Sequence, residues 1–272
     1  MARKRKPKTG KAAVPNAGLE AAYRRKLDVL IKGMNDDIQR AVKSAYRKRE
    51  SEITGDASPS KSLIKLISKY MKKWTLKFNN EAEVVAKWFV TRADNSTKVL
   101  MGRNLAKASG MTVRFQLTKH VENMLDDLVA VNVDLIKSIP RQYHAQVNEA
   151  VMESVKAGRD LGGLTDALEG KNGITRRRAA MISTDMNNKA TEAIGLERNK
   201  SLGITHGIWK HRSGSKQPRA SHIEANGKIF PLDKGLMIEG RLLFPAEDYN
   251  CRCTFSPVIP ELDKKSKVWT VK

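Results

Sequence analysis

The chain has 272 residues, and its 51 lysines and arginines outnumber its 29 aspartates and glutamates to give a net charge of +22. Hydrophobic residues make up 40% of it, which is enough for a folded core and excludes a wholly disordered protein. No apolar run approaches the roughly 18 residues of a membrane span, and no apolar core follows the charged N-terminus as in a secretory signal. A chain this basic is expected to bind a polyanion, and nucleic acid is the favoured partner.

A flexible basic arm is predicted at residues 1–18. Its prolines and glycine disfavour a helix, and no acidic residue lies among its cations. Such an arm can neutralise phosphates without reading base sequence, whereas the alternative is a solvated tail that keeps the chain soluble. The candidate DNA-binding residues are Arg3, Lys4, Arg5, Lys6, Lys8 and Lys11.

Helices are predicted through residues 19–134, because apolar residues recur there at three- and four-residue steps. One helix follows Leu19. A second runs from about Ser60 to Trp74, and a third ends at Gly110. The alternation at 113–117 allows a short strand, but the helical spacing that follows favours a helix.

Proline and glycine are expected to divide the next helices. Pro140 ends one helix, Gly170 and Gly173 close a short helix at 161–168, and the longest helix runs from 174 to about 201. Short strands at 204–209, 228–230 and 241–244 then alternate with turns, of which Asn226-Gly227 is a hairpin signal.

The predicted fold class is therefore α+β. The N-terminal two-thirds is predominantly helical, and a small C-terminal α+β unit of short strands and hairpins packs on the long helix. The tail at 259–272 is expected to be an extension.

Most of the unusual residues lie near the C-terminus, where two interpretations compete. Cys251, Cys253, His211 and His222 have the ligand types of a structural zinc site. However, Cys-x-Cys is tighter than the usual spacing, and both cysteines instead suit half-buried strand positions, with His222 a packing residue. Two cysteines so close are not a disulfide framework, so a reducing cytosolic origin is expected.

An enzyme is the weaker interpretation of the same residues. His222-Ile-Glu224 matches half of the zinc deaminase signature, but Asn-Cys-Arg-Cys replaces the second half. Phosphate-binding glycine loops, nucleophile elbows and His-Glu-x-x-His motifs are absent from the sequence. Arg219 and Arg252 are candidates for local ion pairs with Glu247 or Asp248.

The order of these residues resembles the phage head morphogenesis family typified by phage Mu protein F, the minor head proteins of tailed bacteriophages. The resemblance covers about 135–258, from the helix around Arg178 to the closing Asn-Cys-Arg-Cys. Many members carry a Cys-x-x-Cys pair after the tryptophan, where this chain has Gln-Pro-Arg-Ala-Ser-His at 217–222, which removes two of the thiol ligands. The motif residues, interpreted as structural, are Trp209, Arg219, His222, Asn226, Gly227, Asn250, Cys251, Arg252 and Cys253.

The resemblance implies a structural protein rather than an enzyme. Such a protein binds the phage portal in few copies, acts in head morphogenesis and in DNA packaging and ejection, and has nonspecific affinity for viral double-stranded DNA. It is made in the cytoplasm of the bacterial host and lies inside the head of the virion near the portal.

Region 19–134 is expected to dock to the portal or to scaffold, and the major capsid protein is a further expected partner. No cofactor is expected beyond the zinc alternative. The competing hypotheses are a zinc-dependent nuclease or deaminase and a basic nucleoid-type DNA-binding protein.

Overall fold

A computed structural model describes residues 7–50, 59–156, 161–214, 217–261 and 268–269. The protein is 69% helical, with a few short strands near the C-terminus, which confirms the predicted α+β class. The elements in chain order are α1 (Ala17–Glu50), α2 (Pro59–Ser109), β1 (Thr112–Val113), α3 (Lys119–Lys156), α4 (Leu161–Ser201), β2 (His206–Lys210), α5 (Ala220–Glu224), β3 (Ile229–Pro231), β4 (Leu236–Ile238), β5 (Arg241–Leu243), β6 (Thr254–Pro257) and β7 (Val268–Trp269).

Helix α1 begins at a capped end and buries the face that its sequence predicts. The Asn16 side-chain oxygen accepts a hydrogen bond from the Leu19 N–H at 3.1 Å, which pairs one of the amides that a helix start leaves free. Leu27, Ile31 and Met34 are fully buried. The three- and four-residue spacing is confirmed here.

Three helices are longer than the sequence predicts, because they continue through residues expected to end them. Helix α3 runs through Pro140, with Ile139 and Tyr143 fully buried on either side. Helix α4 runs through Gly170 and Gly173, and α2 is one helix rather than two. The ends were predicted because an interior proline costs a helix roughly 3 kcal/mol, but packing outweighs this cost. An interior glycine costs about 1 kcal/mol, and burial of several large apolar side chains at about 1.5–3 kcal/mol each exceeds both costs.

The chain divides into two compact units, each assembled from separate stretches of sequence. This arrangement differs from the contiguous regions 19–134 and 135–258 that the sequence suggested. The first unit comprises Met1–Glu20, Trp88–Val129 and Thr184–Lys272, and the second comprises Ala21–Lys87 and Ala130–Ser183.

The second unit is helical and is tied together by buried polar contacts between helices. The Tyr143 hydroxyl of α3 donates a hydrogen bond to the Asn35 side chain of α1 at 2.6 Å. Asp37 of α1 accepts hydrogen bonds from Lys73 at 2.9 Å and from the Trp74 indole at 3.0 Å, both on α2. The Lys73 ammonium is the main cause that lowers the pKa of Asp37 to about 2.

The first unit contains the strands and a core of large aromatic residues. Strand β2 lies between β3 and β6, antiparallel to both, and β4 pairs with β5 through the Glu239-Gly240 turn. Trp209, Phe230 and Phe255 from the three-stranded sheet pack edge to face, with ring centroids 6.0 Å apart in each neighbouring pair. This small sheet therefore has a dense apolar core.

Two local predictions in the first unit were wrong. Residues Thr112 and Val113 form β1, which pairs in parallel with β7, instead of starting a helix. The hairpin predicted at Asn226-Gly227 is not a two-residue turn, because the connection from β2 to β3 contains α5. Gly227 adopts a φ of +84° and donates its N–H to the Trp209 carbonyl at 2.8 Å.

Parts of both terminal segments are docked rather than extended. The Gly10 N–H donates to the Pro257 carbonyl at 2.9 Å, and the Ile259 N–H donates to the Lys8 carbonyl at 2.8 Å. Trp269 is buried, and its indole donates to the Leu202 carbonyl at 3.1 Å. The expectations of a flexible arm at 1–18 and an extension at 259–272 therefore do not hold for these residues. In the part of the chain that the structure describes, no helix has the length and apolarity to cross a membrane.

Candidate functional site

Two cysteines and two histidines from three segments of the sequence meet beside the three-stranded sheet. His211 directly follows β2, His222 lies in α5, and Cys251 and Cys253 come just before β6. Cys251 and Cys253 are buried while the residue between them is exposed, which is the alternation that the sequence predicts. The strand itself begins only at Thr254.

The distances join these four residues into one cluster. The Nδ1 atom of His222 lies 3.4 Å from the Cys251 sulfur and 3.7 Å from the Cys253 sulfur. These three atoms all lie within 4.8 Å of one another. The Nδ1 atom of His211 lies 3.7 Å from the Cys253 sulfur. The structure thus brings together the four residues named as metal ligands in the sequence.

Charges around the cluster favour an ionised thiol. The hydrogen bond from the Cys253 thiol is the main cause that lowers the pKa of Cys251 to about 5, and the backbone N–H groups of Cys253 and Ala246 and the nearby His222 add to it. The same interaction raises the pKa of Cys253. The other ring nitrogen of His222 lies 3.3 Å from the Asp248 carboxylate. This interaction therefore favours ionisation of Cys251 over ionisation of Cys253.

Helix α4 supports the loop that carries the cysteines. The Asp185 carboxylate accepts the Asn250 N–H at 2.7 Å, and the Asn188 amide donates to the Cys251 carbonyl at 3.3 Å. Further along the helix, Glu192 is buried, and loss of water raises its pKa well above the usual value. Sequence reasoning missed these three residues as a group. Their spacing of three and four residues, which places them on one side of a helix, was the available signal.

The remaining motif residues hold the chain around the cluster. The Trp209 ring packs edge to face on the His222 ring with centroids 5.6 Å apart. The Asn226 side chain accepts the His211 N–H at 3.0 Å. Asn250 has a φ of +56°, a left-handed conformation that asparagine tolerates and that turns the chain into Cys251.

The two arginines bind carbonyl groups instead of the acids that the sequence suggested. Arg219 donates to the Tyr249 carbonyl at 3.0 Å, and Arg252 donates to the Gly214 carbonyl at 2.8 Å. Asp248 instead faces His222 and Arg241. The ion pairs expected for Arg219 and Arg252 were therefore wrong, because each guanidinium closes a loop.

The deaminase arrangement does not assemble. Glu224 is exposed while His222 is buried, so the acid that would act as general base points away from the cysteines. Of the candidate DNA-binding residues, Arg3, Lys4, Arg5 and Lys6 lie outside the described residues. Both Lys8 and Lys11 are exposed.

Comparison with known proteins gives a family match over part of the chain. The profile described as "Phage Mu protein F like protein" matches residues 145–256, which include all four cluster residues and lie within the region 135–258 assigned from the resemblance. An uncharacterized protein of Haemophilus influenzae is 30% identical over 252 residues. That alignment covers 88% of this chain and 53% of the relative, so the chain spans about half the length of that protein. No solved structure matches.

Proposed function

Because residues 145–256 belong to the phage Mu protein F like family of head morphogenesis proteins, we propose that the protein is a minor head protein that binds the portal of a tailed bacteriophage. Family membership is the observation that carries this proposal. It supports a component of phage heads, and the finer role is inferred from the charge and the surface of the protein. The proposed location is the interior of the head, near the portal, with the packaged DNA.

The helical second unit is the proposed portal-docking part. Leu76 and Val84 of α2 are 63% and 65% exposed, although both are large apolar residues. Apolar side chains on the rigid surface of a helix are suited to docking against another protein. We infer that α2 contributes to the portal contact, with scaffold and the major capsid protein as further partners.

Nonspecific DNA binding is proposed from the charge. A protein of net charge +22 that shares a shell with DNA releases counterions from phosphates when it binds. Contacts to phosphates do not depend on base sequence, so they suit a protein that must bind whatever DNA is packaged. Binding of this kind would keep the protein with the DNA during packaging and ejection.

The proposed role is structural rather than enzymatic. Cys251 is 3% exposed and His222 is 4% exposed, so a substrate could not reach either group without opening of the fold. Each motif residue around them closes a turn or supports a neighbour. A well-packed cluster of this kind serves to fix a fold.

Co-migration with a purified cognate portal ring tests the proposal. The wild-type protein is expected to remain bound to the ring at moderate salt, where attraction between exposed charges alone is screened. Wild-type protein that migrates separately from the ring at every salt concentration would refute portal binding.

Matched variants locate the contact. Aspartate at Leu76 and Val84 in the second unit is expected to abolish co-migration. Aspartate at Met237 and Leu242, which are similarly exposed on the β4–β5 hairpin of the first unit, is expected to leave it unchanged. The reverse pattern would refute docking through α2.

A further inference from the structure

We propose that Cys251, Cys253, His222 and His211 bind one structural Zn²⁺ ion. The geometry points to this ion, because the Nδ1 atom of each histidine faces a thiol. Three of the four ligand atoms already lie within 4.8 Å of one another. Two thiolates and two imidazoles form one of the common ligand sets of structural zinc sites.

The spacing of the atoms suits a tetrahedral ion. Zinc–sulfur bonds of about 2.3 Å and zinc–nitrogen bonds of about 2.05 Å place tetrahedral sulfur and nitrogen ligands roughly 3.6 Å apart. The observed separations are 3.4 Å for Cys251 and His222, 3.7 Å for Cys253 and His222, and 3.7 Å for Cys253 and His211. All three lie within about 0.2 Å of the tetrahedral value.

The surrounding groups have the character of outer-shell partners. Asp248 lies 3.3 Å from the His222 nitrogen that does not face the thiols, as carboxylates do behind zinc-bound histidines. The Asn188 amide donates to the Cys251 carbonyl at 3.3 Å and so holds the backbone at that ligand. The Asn226 side chain holds the backbone at His211. His222, His211 and Cys251 are therefore each held by a neighbour.

The ion would join segments that are far apart in sequence. It would connect the end of β2, helix α5 and the segment before β6, and its cysteine and histidine ligands are separated by 29 to 42 residues. These connections are long for so small a sheet, so a metal crosslink would add to the stability that its apolar core supplies. With four protein ligands the site is closed, which assigns the ion a structural role.

Two other chemistries use the same atoms. A Cys251 nucleophile with His222 as base and Asp248 behind it has the order of a cysteine hydrolase triad. Its thiol is buried, however, and a second thiol shares the imidazole, which zinc requires and a triad does not. A disulfide between cysteines one residue apart would be strained.

Metal content of the full-length wild-type protein is the first test. Protein produced with zinc in the medium and purified with a reductant is expected to hold about one zinc per chain. Replacement by Co²⁺ is expected to give the intense visible absorption of a tetrahedral site together with a sulfur-to-cobalt charge-transfer band. Zinc well below one equivalent, with no rise in unfolding temperature on adding Zn²⁺, would overturn the proposal. So would rapid alkylation of Cys251 in the zinc-supplied protein, which indicates a nucleophile.

Variants identify the ligands, with His206 as the matched control. Cys251→Ser, Cys253→Ser and His222→Ala are each expected to lose stoichiometric zinc. His211→Ala is expected to keep a three-ligand site from which a chelator removes the ion at least tenfold faster. His206→Ala should retain the ion, because His206 is exposed on β2 and contacts Thr205. If a variant fails to fold, the cobalt spectra of the wild-type protein still test the proposal, because they report the sulfur and nitrogen ligands directly. Loss of zinc in His206→Ala with retention in Cys251→Ser would overturn the assignment.

Discussion

The ion pair between Arg198 of α4 and Asp94 of α2 is buried, and its removal should destabilise the first unit. The Arg198 Nε donates to the Asp94 carboxylate at 2.9 Å, and the guanidinium lies 5.6 Å from the centroid of the Phe115 ring. The side chains are 3% and 13% exposed, respectively. Asp94→Ala would leave the guanidinium charged, buried and without its carboxylate.

The magnitude follows from that burial. Breaking a buried pair by removing one partner costs about 3–5 kcal/mol, because the remaining charge is not solvated. The double variant Asp94→Asn with Arg198→Met removes both charges and keeps most of the packing. The double variant is therefore expected to lose only about 1 kcal/mol. Asp94→Ala should be the less stable of the two by at least about 2 kcal/mol.

Urea unfolding followed by far-ultraviolet circular dichroism measures these differences. The control is Glu83→Ala, which removes an exposed partner of Lys87 on the same helix and should cause no change beyond experimental error. The reasoning fails if Asp94→Ala costs less than about 1 kcal/mol. It also fails if the double variant is as unstable as the single one.

Three further predictions use other parts of the chain. The folded-state pKa of Asp37 is lowered, so its contribution to stability is present above the unfolded pKa near 4 and is lost as the pH falls through about 2. Asp37→Asn should cost about 1 kcal/mol at pH 7, with the difference shrinking as the pH falls and vanishing below pH 2 in acid-titrated thermal melts; a difference that does not shrink between pH 7 and pH 2 would contradict the assignment. Glutamine at Arg3, Lys4, Arg5 and Lys6 should reduce the slope of log K against log salt for duplex DNA by roughly 0.9 for each phosphate that the arm no longer neutralises. It should leave portal co-migration intact; an unchanged slope would remove the arm from the DNA interface. In Gly207→Ala the new Cβ would lie 2.8 Å from Phe255 and 3.0 Å from Leu232, at a cost of about 1–3 kcal/mol, whereas Gly170→Ala meets no atom within 4 Å and should gain up to about 1 kcal/mol. Equal melting temperatures for the two variants would contradict that difference.

Local pattern predicted the helices well and their ends poorly. Periodicity placed Leu27 and Ile31 on a buried face, and Gly203 ended α4 where expected. The helix ends predicted at Pro140 and Gly170 were wrong, because local propensity does not include the tertiary packing that stabilises a helix through these residues. Strand β1 was missed for a related reason, since its partner β7 lies more than 150 residues further along the chain.

The candidate site was partly visible in the sequence. Residue type alone selected His211, His222, Cys251 and Cys253, although the Cys-x-Cys spacing argued against a metal. Asp185 was not singled out, and Asp248 was named only as an ion-pair partner of Arg219 or Arg252, because acidic residues in a basic chain are usually solvated. Only the fold shows that one accepts the Asn250 N–H and that the other faces His222.

Quantitative detection of the protein in purified phage particles tests the central claim most directly. Particles released from a host that carries the gene would be treated with protease and nuclease on the outside, then opened and measured for this protein against the portal. The account predicts a few copies per portal ring, protected until the head is opened and released together with the DNA. Protein that remains in the host lysate and is absent from intact particles would contradict it.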